Sequence, residues 1–156
     1  SDAIEVIPQI RKMNPYWIEE PTDPDDVLAH QTIARAFSPL KIALGEHVPN
    51  KVMFKNYLQA KAMSFNQVDA LRVGGISEWI LVSLMSRKFD VPVIPHVGDM
   101  GQIHQHLVLF NHISVGHPAL FLEYIPHLAK YFKDPVIIRD GTYVVPQTPG
   151  STSDFI

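Results

Sequence analysis

Not one of the 156 residues is a cysteine. Disulfides, thiolate metal sites and cysteine nucleophiles are therefore excluded together, and the composition suits a reducing compartment, with the cytoplasm as the expected location. Neither sign of charge is in large excess: 13 Lys and Arg stand against 16 Asp and Glu, for a formal net charge of -3 and a pI near 6.2. No basic run is interleaved with aromatics, so nucleic acid is not an expected partner. Long apolar runs are missing as well. The longest, at residues 80–85 and 107–110, fall far short of the roughly 20 residues needed to cross a bilayer. No signal peptide is visible, and a soluble protein without a membrane partner is expected. What is present is 46% apolar and 19% charged residues, which fits one globular unit with a real core and fits neither disorder nor a coiled coil.

Short β-like runs alternate with helical patterns along the chain, as in parallel βα units. The runs are 16–19, 41–46, 65–69, 91–96 and 120–123, and the helical stretches are 3–13, 25–37, 51–63, 77–89 and 101–112. Apolar residues recur three and four apart in the latter, as in Phe54, Tyr57, Leu58 and in Ile76, Ile80, Leu84. Pro15, Pro39 and Pro92 sit before or at strand starts, where a helix has to stop.

Each of the five runs ends in an ionisable residue: Glu19, Glu46, Asp69, His96 and Glu123, at intervals of 27, 23, 27 and 27. That interval is one βα unit. In a parallel barrel the C-terminal ends of all strands point to one face, so residues at equivalent ends converge although they are far apart in sequence. The alternative for any single acid is a helix N-cap or a solvated charge; five in phase favour a shared pocket. A complete eight-stranded barrel takes about 250 residues, and this chain opens in a helix-like segment with no strand before it. The expected fold is therefore α/β, the C-terminal part, about five βα units, of a TIM-type barrel, with three strands supplied by chain that precedes it.

The residues Trp17-Ile18-Glu19-Glu20-Pro21-Thr22, Gly45-Glu46, Val68-Asp69-Ala70-Leu71-Arg72-Val73-Gly74-Gly75 and Pro95-His96 closely resemble the mandelate-racemase branch of the enolase superfamily. Within it, residues 24–30, Glu123-Tyr124 and His127-Leu128 look most like the L-fuconate and L-galactonate dehydratases. The resemblance implies that Glu19 and Glu46 are two of three carboxylate ligands of an essential Mg2+, a hard ion that prefers oxygen donors. Glu20 is the rival for Glu19, since neighbouring strand residues face opposite sides. By the same resemblance Asp69 and His96 form a dyad in which the carboxylate holds one ring nitrogen and the other exchanges a proton, and Glu123 binds the enolate side of the substrate.

The activity so implied is Mg-dependent dehydration of a sugar acid: proton abstraction next to the carboxylate, then loss of the 3-hydroxyl with His96 as general acid, giving a 2-keto-3-deoxy acid. The C2 base and the third metal ligand would be a lysine and an aspartate outside this chain, so the isolated chain is expected to be inactive. A homo-oligomer is implied by the family alone. Two other readings remain: a racemase or epimerase using the same metal and dyad, and a non-catalytic fragment with a structural role.

Other features take local readings. His47 follows Glu46 at the pocket mouth and Arg72 lies three residues past Asp69; both are candidate substrate contacts, with a structural ion pair the alternative for Arg72. The loop at 96–101 carries two glycines that let backbone approach the substrate, phosphate binding at the following helix start being the alternative. His104 and His106 lie two apart on a helix and so point in different directions, which makes them poor joint ligands. Residues 1–134 form the barrel portion. Residues 135–156 form a β-hairpin about Asp140-Gly141 and an extended or mobile tail, expected to pack on an N-terminal capping domain.

Overall fold

The computed structural model describes residues 2–96, 102–118, 121–151 and 154–156. Its order is α1 (Asp2–Ile10), β1 (Trp17–Glu19), α2 (Val27–Ala36), β2 (Lys41–Leu44), α3 (Lys51–Ala60), β3 (Phe65–Asn66), α4 (Ile76–Lys88), α5 (Ile103–Phe110), β4 (Ile138–Arg139) and β5 (Thr142–Tyr143). Strands β1, β2 and β3 lie side by side and parallel, with Trp17 opposite Lys41, Glu19 opposite Ala43 and Leu44 opposite Asn66.

Why the helices start and stop where they do is visible in their caps. Asn50 Oδ1 accepts from Val52 and Met53 N–H at 3.0 and 3.1 Å, and Asp26 Oδ1 accepts from Ala29 N–H at 2.8 Å, each satisfying donors that an open helix end leaves bare. At the other end of α3, Lys61 turns left-handed (φ 54°), and Ala62 N–H reaches back to the Tyr57 carbonyl at 3.1 Å. This Schellman-type stop ends the helix three residues before the expected 63. Glu78 then ties two helix starts together, accepting Lys51 N–H and Gly74 N–H, each at 2.8 Å; these bonds hold its carboxyl below the usual carboxylate range.

Alternation along the strands sorts residues to two faces. Ile42 and Leu44 join Ile33, Phe54, Tyr57, Trp79 and Val82 in the main core under the helices. Ala43, Phe65 and Ile94 form a smaller cluster on the opposite face, with Trp17 packed against it. A barrel wall has this arrangement, helices outside and a second set of side chains turned inward.

The strands are shorter than the sequence suggests. The run expected at 41–46 stops at Leu44 because Gly45 takes φ 146°. The run at 65–69 keeps only two ladder residues, although Gln67 N–H still reaches the Leu44 carbonyl at 2.9 Å. The run at 91–96 is reduced to a parallel bridge between Asn66 and Val93, flanked by bonds from Asn66 N–H to Pro92 O and Ile94 N–H to Asn66 O. Of the last run, residues 121–123 make no ladder with the described residues. The hairpin forms as expected, with Asp140 (φ 51°) and Gly141 (φ 73°) in the type I′ conformation. The tail takes the extended of its two expected forms at its end: Phe155 pairs antiparallel with Phe132 and stacks on it, and Ile156 N–H bonds the Tyr131 carbonyl. Three residues from each segment suffice to tether the end. Among the described residues, no helix is long and apolar enough to cross a membrane.

Candidate active site

The site is built at the C-terminal tips of the strands, and one glycine sets its spacing. A Cβ on Gly45 would stand 2.8 Å from the backbone of Gln67. Only glycine lets the β2 tip lie against the β3 tip that closely, which brings Glu46 beside Asp69 and the residues following it.

His96 is the centre. Its Nδ1 meets Asp69 Oδ2 at 2.9 Å, and its Nε2 lies 3.3 Å from Glu46 Oε1 and 3.6 Å from Glu123 Oε2. Burial alone would lower the pKa of this ring, but the bond to Asp69 and the charges of Glu46 and Glu123 outweigh it and raise the pKa above 6.5. Asp69 is shifted the other way: burial would raise it, yet the bond to His96 and the Leu71 N–H at 2.7 Å hold its carboxyl well below the usual range. Both shifts favour the charged forms, imidazolium and carboxylate, and the Nδ1 to Oδ2 contact holds the two together.

Arg72 spans the rim. Its Nη1 lies 3.0 Å from Glu46 Oε1 and its Nε 3.6 Å from Asp69 Oδ2. His47 turns its Nδ1 to Glu20 Oε2 and its Nε2 to within 3.8 Å of Glu46. Four of the five strand-end residues, Glu46, Asp69, His96 and Glu123, therefore gather within ion-pair distance of one imidazole or are part of it.

Glu19 is placed differently. It shares the inward face of β1 with Trp17, is exposed, and accepts from Trp17 Nε1 at 3.3 Å. Glu20, with φ 38° just past the strand, swings toward β2, where Glu20, Glu46 and His47 present ligand atoms within 4.8 Å of one another. Two carboxylates and an imidazole at two adjacent strand ends gather there, and the carboxylate oxygens are donors that suit a hard divalent ion such as Mg2+. The loop at 97–101 and the phosphate-binding alternative for it lie outside the described residues.

Sequence reasoning missed His104. This ring is 1% exposed; its Nε2 accepts the Ala70 N–H at 2.9 Å and lies 3.2 Å from Asp69 Oδ1. The signal was its helical phase: His104 shares the buried side of α5 with Leu107 and Val108, while His106 is exposed. The hairpin also reaches the site, since the Tyr143 hydroxyl donates to the Glu123 carbonyl and its ring meets Tyr124 edge-on.

Comparison with known proteins follows the same lines. The sequence profile described as "Enolase C-terminal domain-like" matches residues 1–154. Human mitochondrial enolase superfamily member 1 is 44% identical over 160 residues, covering 99% of this chain and 36% of its own length. Its crystal structure superimposes with a TM-score of 0.92 at 43% identity over 99% of this chain and 36% of that one. The L-galactonate dehydratase of Hypocrea jecorina is 38% identical over 153 residues, 96% of this chain and 34% of its own. L-Talarate dehydratase from Polaromonas sp. JS666, crystallised with Mg and L-glucarate, superimposes with a TM-score of 0.78 at 26% identity, covering 99% of this chain and 41% of that one. The chain spans roughly a third of the length of these two curated relatives.

Proposed function

Because the chain belongs to the enolase C-terminal domain-like family, we propose that it is the acid-donating part of the active site of a Mg-dependent sugar-acid dehydratase. The observation that carries this reading is the buried His96–Asp69 pair at 2.9 Å, with two further carboxylates on the free ring nitrogen. Relatives named as dehydratases of L-galactonate and of L-talarate or galactarate support the reaction class. The substrate is a polyhydroxylated acid; L-fuconate is one member of that class.

Dehydration needs the proton at C2 removed and the 3-hydroxyl expelled. The first step is difficult because a proton next to a carboxylate is only weakly acidic, and it becomes accessible when fixed positive charge faces the developing enediolate. Mg2+, when bound, would supply that charge; by the family resemblance Glu19 and Glu46 would hold it, and Glu20 and His47 are the residues that gather with Glu46 here. The C2 base comes from chain outside these residues. His96 then donates a proton from Nε2 to the departing 3-hydroxyl, which leaves as water, and the enol that remains tautomerises to the 2-keto-3-deoxy acid. Asp69 keeps the imidazolium oriented and charged throughout. Glu123 and the rim cation Arg72 face the same space and hold substrate oxygens, with His47 at the mouth. A small-molecule acid is the expected partner, bound by a homo-oligomer.

A racemase would return a proton to C2 and use the same pair, so product identity decides. The intact protein, incubated with Mg2+ and a panel of aldonic and aldaric acids, should release 2-keto-3-deoxy products, and chelation should stop it. Epimerised acid without keto product would move the assignment to the racemases, and no conversion of any acid would favour the structural reading.

A further inference from the structure

His104 lies outside every role given above, yet it touches the residue on which the proposed acid depends. Asp69 sits beyond the last ladder residue of β3, in a turn closed by its own carbonyl, which accepts from Arg72 and Val73 N–H at 3.2 and 3.1 Å. Its Oδ1 accepts the Leu71 N–H from inside the same turn. Bonds within a turn fix its shape but not its direction relative to the rest of the molecule. Its direction is set from outside by Trp79 Nε1 on the Val68 carbonyl at 3.1 Å, by Arg72 on Glu46, and by α5, 34 residues away, where the buried His104 Nε2 takes the Ala70 N–H at 2.9 Å and stands 3.2 Å from Asp69 Oδ1.

We infer that His104 is a positioning residue for the Asp69–His96 pair, fixing the carboxylate through the Ala70 peptide it holds. An accepting Nε2 on a neutral ring leaves the proton on Nδ1. Oδ1 is then occupied by Leu71 N–H and crowded by His104, and Oδ2 is the oxygen left to meet His96 Nδ1 at 2.9 Å. An apolar residue in place of His104 would fill the volume but leave a buried N–H without a partner, freeing the turn to rotate and Oδ2 to leave the imidazole. The acid would still be present and would be aimed less well.

The inference rests on the dehydratase reading, and the test separates the two. In the intact protein with Mg2+ and an accepted acid, His104→Phe should lower kcat by about 10- to 100-fold, the range for partners that orient a functional group, with KM changed by less than about twofold. His104→Gln, whose amide reaches the position of Nε2, should recover most of kcat; His104→Asn, too short to reach Ala70, should not. The low-field proton resonance of the His96–Asp69 bond should persist in the Gln variant and be lost in the Asn variant. Equal kcat per folded molecule in the wild type and in the Gln and Asn variants overturns the inference, even if the Phe variant fails to fold. A His96→Asn control tells which claim failed: if it is inactive while the His104 variants are not, only the positioning role falls, and if it too is fully active, the role of His96 as the acid falls with it.

Discussion

Two histidines, nearly equally buried, occupy opposite environments. His96 is 6% exposed at the strand tips and His117 is 1% exposed in the seam between α4 and the end of α5. Around His96 stand Asp69, Glu46 and Glu123, and the ring is held toward its charged form. Around His117 the ring nitrogen Nε2 donates to the Ser83 carbonyl at 3.0 Å, Nδ1 has no partner among the described residues, and burial with the nearby Arg87 charge holds the ring neutral. The seam is completed by Asn111, which donates to Ser83 Oγ at 3.2 Å. Burial penalises charge in both places. Only the strand tips supply the carboxylates that reverse it, and that reversal separates a site prepared for proton transfer from a polar contact that joins two helices.

The largest expected effect comes from the residue that serves both regions. Trp79 is fully buried on the same helix as Ser83, and its Nε1 donates to the Val68 carbonyl at 3.1 Å, one residue before Asp69. Trp79→Ala should cost about 3–5 kcal/mol in denaturant unfolding; a cost under 1 kcal/mol would show that the seam and the tips are not coupled through it. Next, Gly45→Ala should act on the tips alone. The added methyl forces β2 from β3, and a displacement near 1 Å in the site should reduce turnover about 100-fold, while stability in the seam, read by hydrogen exchange at 107–111, stays unchanged. The smallest effect belongs to His117. A histidine whose folded pKa is depressed stabilises the fold above its unfolded pKa of about 6.5, and that contribution is lost as pH falls below it. The difference in urea midpoint between wild type and His117→Gln should therefore move against the wild type from pH 7 to 5.5, without any change in turnover per folded molecule.

The strand tips were largely legible from the chain because the βα period is a repeat of whole structural units. Glu46, Asp69, His96 and Glu123 came from that phase, and the structure brings them together. Helix cores were legible for a similar reason, with ends displaced by caps such as Lys61. What escaped depended on single torsions or on distant contacts. Alternation puts Glu19 inward, but the positive φ of Glu20 is a local choice with no apolar pattern behind it, and it carries that carboxylate to His47. His104 was weighed only against His106, when its relation to Leu107 and Val108 was the informative one. The tail's pairing with 131–133 joins segments of a few residues each, too short to leave a period.

His96, as the proposed proton donor to the leaving hydroxyl, is the residue to test first. In the intact protein with Mg2+, an accepted acid and deuterated solvent, His96→Asn should release no keto product while still exchanging the C2 proton, because the base lies elsewhere. Product formed by that variant at the wild-type rate would contradict that role.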